Sequence, residues 1–145
     1  MTTDPSRTRR RVFIVEDEVL LALDLELIAE EVGFAIAGQA ARKADAIEGI
    51  RSESPDLCLV DLHLLDGPTG VDVAKFAVDN TDALVVFVTA NRAALPDDLG
   101  GAYGVIAKPY TVTGMRDALS HLLGVLNAEV DEHVVAPVEL RAASA

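Results

Sequence analysis

Five short apolar runs, separated by longer segments that mostly carry a helical period, constrain this chain more than any other feature. "RVFIV" (11–15) is the first run. The segment after it, "EVLLALDLELIAEEVG", repeats Leu21, Leu25, Ile28 and Val32 at helical spacing and stops at Gly33. "FAIAG" (34–38) is the next strand candidate, followed by the amphipathic "ARKADAIEGIRSE", which Ser54-Pro55 ends. "DLCLVD" is a third strand, "DGPTG" a loop, and Gly70 to Asn80 a helix; "ALVVFVT" is a fourth strand and "YGVIA" a fifth. A last helix, "TVTGMRDALSHLLGVL", aligns Met115, Leu119, Leu122 and Leu126 on one face. Apolar strands alternating with helices predict a parallel sheet covered on both faces, joined by right-handed crossovers.

The length of 145 residues predicts one domain with a single core. Half of the residues are hydrophobic and only 4% aromatic, so that core is expected to be aliphatic. A net charge of −12 argues against partners that are nucleic acid or an anionic membrane. Cys58, the only cysteine, excludes an internal disulfide and a cysteine-based zinc site; inside "LCLV" it reads as a buried small hydrophobe. "SRTRRRVFIV" imitates a twin-arginine export signal, but "EDE" interrupts the apolar stretch too early. No segment has the length of a membrane span, and the chain is expected to be cytoplasmic.

Reactive residues gather where ligands of such sheets bind, beyond the carboxyl ends of the strands. Strand one ends at Glu16-Asp17, strand three at Asp61, strand four at Thr89 and strand five at Lys108-Pro109. If strands one and three are neighbours, three carboxylates share a pocket with a hydroxyl and an ammonium. Like charges at ~4 Å repel by roughly 4 kcal/mol at an effective dielectric of ~20. Clustered carboxylates therefore raise one another's pKa or share a divalent cation, and Mg²⁺ suits hard oxygens. With a cation held, one carboxylate can attack phosphorus to form an aspartyl phosphate.

These pieces, "FIVEDE", "PDLCLVDLHLLDG", "VVFVTA" and "IAKPY", together covering about residues 10–126, resemble the receiver domain of bacterial two-component response regulators. The resemblance implies a CheY-like, flavodoxin-like α/β fold: a doubly wound five-stranded parallel sheet of order 2-1-3-4-5. It also implies a signalling domain and not an enzyme. Asp61 matches the phosphoacceptor, supplied by a sensor histidine kinase. Asp17, Asp61 and the backbone carbonyl of His63 would hold Mg²⁺, with Glu16 helping directly or through water. Thr89 would donate to the phosphoryl oxygen and Lys108 would pair with it, the Lys108-Pro109 bond being usually cis in this family. Ala90 matches a position that is usually small. The His63 side chain reads as a pocket-rim residue that influences attack by water, and His121 and His133 as surface residues.

Three departures stand out. Val105 occupies the position, three before the lysine, where a switch aromatic is common, unless Tyr103 or Tyr110 substitutes; both read as packing residues. Leu65 stands where a proline is often found. The span from Thr89 to Lys108 is short and holds Pro96, Gly100 and Gly101, which predicts a shortened or disordered fourth helix.

Residues 1–9 read as an N-terminal tail, 10–126 as the receiver, and 127–145 as an extension without an output domain. The expected function is a stand-alone receiver, phosphorylated on Asp61 and signalling to a downstream protein by contact. The alternative is a phosphate sink that drains a shared kinase and loses its phosphoryl group quickly. A phosphatase of the haloacid dehalogenase type would need a second Asp two residues after the nucleophile, where His63 stands.

Overall fold

A computed structural model of the chain describes residues 9–128 and 138–140; the expectation for His133 lies outside the described residues. In chain order the elements are β1 (Arg11–Val15), α1 (Val19–Val32), β2 (Ala35–Ala40), α2 (Lys43–Glu53), β3 (Leu57–Val60) and α3 (Gly70–Asn80). They continue with β4 (Leu84–Thr89), β5 (Gly104–Ala107), α4 (Val112–Ala128) and β6 (Val138–Leu140). The strands form one sheet of order β2-β1-β3-β4-β5-β6, every pair parallel. The expected 2-1-3-4-5 order is present, and a sixth strand of three residues extends it.

Strand side chains alternate between two cores. Val12, Ile14, Leu57, Leu59, Val86, Val88 and Ile106 meet α1 and α4 through Leu25, Ile28, Met115, Leu119 and Leu122. Phe13, Val15, Cys58, Val60, Val85, Phe87 and Val105 meet α2 and α3 through Ala46, Ile50, Val73, Ala74 and Ala77. Burial of both faces is why β3 and β4 read as continuous apolar runs rather than alternating ones. Burying each large aliphatic side chain stabilises the fold by roughly 1.5–3 kcal/mol before entropy is counted. Helix stops follow the punctuation of the sequence: α1 ends at Gly33, whose N–H bonds to the Ala29 and Glu30 carbonyls, and α2 at left-handed Ser54, just before Pro55.

The β4–β5 connection contains no α-helix. Two single 3₁₀ turns, Arg92–Ala94 and Leu99–Gly101, replace the fourth helix, as the short span predicted. Leu99, Gly100 and Gly101 have φ of 54°, 61° and 92°, three successive left-handed residues that no α-helix tolerates. Leu95, Leu99 and Ala102 are nevertheless buried and fill the space over β4 and β5 that a helix would otherwise cover.

Candidate functional site

The strand ladders run one residue past the strands and thereby fix the reactive side chains. Glu16 N–H bonds to Ala40 O at 3.0 Å, Asp61 N–H to Val15 O at 2.9 Å, and Lys108 N–H to Thr89 O at 3.0 Å. Three residues far apart in sequence are thus pinned at the carboxyl edge of one sheet, at the ends of β1, β3 and β5. Their side chains meet: Lys108 Nζ donates to Glu16 Oε1 and to Asp61 Oδ2, each at 2.9 Å. The other oxygens are also engaged, Glu16 Oε2 by Glu18 N–H at 3.1 Å and Asp61 Oδ1 by His63 N–H at 3.3 Å. Glu16, Asp61 and Thr89 are the only buried polar side chains among the described residues.

Burial pushes the Glu16 carboxyl up to about 7, against the hydrogen bonds from Lys108 and the Glu18 N–H, which favour its charged form. Burial also pulls the Lys108 ammonium down, but its hydrogen bonds to Glu16 and Asp61 and the charges of both carboxylates outweigh that and raise it. One ammonium is shared by two buried acids, so the site is short of positive charge.

Asp17 stands beside this pair, half-buried, with carboxylate oxygens of Glu16, Asp17 and Glu18 within 4.8 Å of one another. The donor set is hard oxygen in surplus of negative charge, which fits a hard divalent cation. Glu18 was not assigned a role from sequence; it precedes α1 and caps it without a side-chain bond. Asp61 lies outside this three-acid group, held instead by Lys108. Thr89 is buried at the end of β4, its hydroxyl oxygen accepting from Asn91 N–H at 3.0 Å. His63 and Ala90 are exposed at the rim, and the Lys108-Pro109 bond is cis.

The loop after Asp61 is built by glycine. At Gly70 a Cβ would lie 1.9 Å from the Asp61 carbonyl oxygen and 2.8 Å from Leu62 Cα, so only glycine lets α3 start against the acceptor's backbone. "DGPTG" signals a loop but does not reveal which glycine is pressed against the acceptor. The aromatic question has a local answer: Val105 is buried in the core, and Tyr103 Oη sits 3.4 Å from His121 Nε2. Tyr110 Oη is buried with no hydrogen-bond partner among the described residues. It borders a cavity of about 430 Å³ that Leu21, Ile28, Ala90 and Lys108 also line. A larger cavity, about 750 Å³, opens at the opposite ends of the strands around Arg10, Asp56 and Asn80, away from the acid cluster.

Residues 12–120 match the family model of the response regulator receiver domain. Among curated proteins, the chain is 33% identical over 115 residues to the phyllosphere-induced regulator PhyR of Methylorubrum extorquens, covering 77% of this chain and 43% of that one. It is 30% identical over 122 residues to the transcriptional regulatory protein PdtaR of Mycobacterium tuberculosis, covering 81% and 59%. The chain therefore spans about half the length of these relatives. Among solved structures, the receiver domain of Erythrobacter litoralis PhyR superposes with a TM-score of 0.73 at 31% identity, covering 88% of this chain and 99% of that domain. PhyR of Brucella abortus gives 0.70 at 32% identity, covering 86% and 52%.

Proposed function

The chain belongs to the response regulator receiver domain family, and from that premise we propose that Asp61 accepts a phosphoryl group from a phosphohistidine of a sensor kinase. Glu16, Asp17, Asp61 and the His63 carbonyl hold a Mg²⁺ in this reading. One Asp61 oxygen forms the new O–P bond as the P–N bond of the donor breaks. The imidazole leaves with that electron pair and takes up a proton. Mg²⁺, when bound, neutralises negative charge on the carboxylates and the phosphoryl oxygens. Lys108 already donates to the acceptor and follows its charge outward onto the phosphoryl group. The Thr89 oxygen accepts from Asn91, so its own proton remains to be donated to a phosphoryl oxygen.

The observation that carries this reading is the shared Lys108 ammonium at 2.9 Å from both Asp61 and Glu16, in a site short of positive charge. Family membership marks a signalling domain rather than an enzyme. Beside the site, α1 turns Leu20, Leu23 and Leu27 outward, 76%, 45% and 60% exposed, an apolar face for the kinase to grip. The reading sets the chain in the bacterial cytoplasm, with its output passed by protein contact; the acidic balance speaks against nucleic acid.

The test is Mg²⁺ with a small phosphodonor, or with beryllofluoride, on wild type and Asp61→Asn. Label on wild type alone supports the proposal, and equal label on both defeats it. The exposed rim at His63 and Ala90 also leaves room for water, which favours the phosphate-sink reading as a second. A phosphoaspartate lasting seconds supports the sink, and one lasting many minutes the adaptor.

A further inference from the structure

β2 ends in alanine and brings no side chain to the acid cluster, yet the turn after it touches both halves of the site. Ala40 O accepts from Glu16 N–H at 3.0 Å, and Ala41 O accepts from Leu65 N–H at 2.9 Å. Lys43 N–H, at the start of α2, donates to Asp66 Oδ2 at 3.1 Å. One short turn thus holds the end of β1 on one side and the loop after Asp61 on the other.

Asp66 is the side chain that makes the second hold. It sits with Leu65 at the tip of a tight turn, closed by Leu64 N–H to Gly67 O at 2.8 Å and Gly67 N–H to Leu64 O at 3.1 Å. Its Oδ1 accepts from the Thr69 hydroxyl at 2.8 Å, so the carboxylate ties the turn to its own descending arm and to α2. The first N–H groups of a helix have no partner within it, and Arg42 caps α2 without a side-chain bond. Asp66 supplies that cap from another segment. Behind the tip, Leu62 and Leu64 are buried, and their carbonyls accept from Gly70 and Gly67 N–H. The His63 carbonyl between them accepts no hydrogen bond among the described residues, so it is left free as a ligand.

We propose that Asp66 is a positioning residue of the phosphoryl-transfer site: by clamping the loop after Asp61 to the β2–α2 turn, it sets the His63 carbonyl at a fixed place relative to Glu16 and Asp17. The proposal rests on the reading in which that carbonyl and those acids hold Mg²⁺. Asp66 acts through the backbone and is not itself a ligand. Groups that hold a metal ligand in place typically change metal affinity by about 10–100-fold when they are removed.

The test compares Asp66→Ala and Asp66→Asn with wild type, each as the full chain, by calorimetric titration with MgCl₂ and by amide exchange. Asparagine removes the same charge as alanine but can still accept from Lys43 N–H and bond to Thr69. Asp66→Ala is expected to bind Mg²⁺ about tenfold more weakly, with faster exchange of the Leu65 N–H, while Asp66→Asn stays close to wild type in both. With acetyl phosphate, Asp66→Ala should need more Mg²⁺ to be labelled but reach the wild-type rate once Mg²⁺ is saturating. Equal Mg²⁺ affinity for Asp66→Ala and wild type overturns the proposal. So does an Asp66→Asn as weak as Asp66→Ala, since charge and not position would then be the cause. Should Asp66→Ala not fold, Thr69→Val carries the test by removing the Oδ1 bond alone; affinity equal to wild type there overturns the proposal as well. Wild type that takes no label on Asp61 defeats the underlying reading, whereas label confined to Asp61 with Mg²⁺ affinity indifferent to Asp66 defeats the clamp alone.

Discussion

Lys108 Nζ lies 2.9 Å from Asp61 Oδ2 and completes, with Glu16, a buried arrangement in which one cation serves two acids. The ammonium occupies the electrostatic place that a divalent cation would share. Replacing it by Lys108→Ala is expected to strengthen Mg²⁺ binding, by about 3–10-fold, because a unit charge a few ångströms away no longer opposes the ion. Isothermal titration with MgCl₂ reads this directly; a weaker or unchanged affinity contradicts the arrangement.

Glu16→Gln tests the cost of the buried acid. The native carboxyl titrates at about 7 against an ordinary 4.5, so between these pH values the folded chain holds a proton that the unfolded chain releases. The stabilising effect is complete below pH 4.5 and is lost as pH rises through 7. At pH 8 without metal, Glu16→Gln is expected to be more stable than wild type by about 1–3 kcal/mol. The advantage shrinks toward pH 5, and urea denaturation at both pH values checks it. A variant less stable than wild type at pH 8 would mean that the Lys108 bond outweighs desolvation.

How much of this was legible varies with physical scale. β1, β3 and β4 were readable because burial on both faces leaves a continuous apolar run, and the 3₁₀ connection because Pro96, Gly100 and Gly101 preclude a helix. β2 runs from Ala35 to Ala40, where the sequence suggested 34–38, because its half-buried "AIAGQA" has no clear apolar limit. β6 escaped because three residues are too few to show a period. At the site, each acid, hydroxyl and amine could be placed at a strand end. The bond from Lys108 to Glu16 could not, since it joins residues 92 apart through the register of the sheet.

Cys58 separates a packed thiol from a reactive one. Its side chain is fully buried in β3, and burial pushes the thiol up to about 12 from an ordinary 9.0. Up to pH 9 the native chain is expected to resist a disulfide reagent for as long as it stays folded, with modification tracking unfolding in urea. Above pH 9 the unfolded chain releases a proton that the folded chain keeps, so stability from this group is lost as pH climbs from 9 toward 12. Stoichiometric labelling within seconds at pH 8 without denaturant would show the thiol to be accessible.

Gly70 joins fold to site most closely. A methyl group there meets the Asp61 carbonyl at 1.9 Å and Leu62 at 2.8 Å, and both are backbone atoms that cannot rotate away. The Gly70 N–H also donates to Leu62 O at 2.9 Å, so the start of α3 is tied to the loop it presses against. Gly70→Ala must move the helix or the acceptor loop, and a loss of about 3 kcal/mol or more in urea denaturation is expected. Gly100→Ala is the control: nothing stands within 4 Å of its Cβ, and its φ of 61° alone should cost about 1 kcal/mol. If Gly70→Ala proves no more costly than Gly100→Ala, α3 can shift without penalty and the acceptor loop is not set by this contact. If the large loss is seen, the same variant should also lose affinity for beryllofluoride at temperatures where it remains folded, because Asp61 is displaced along with its carbonyl.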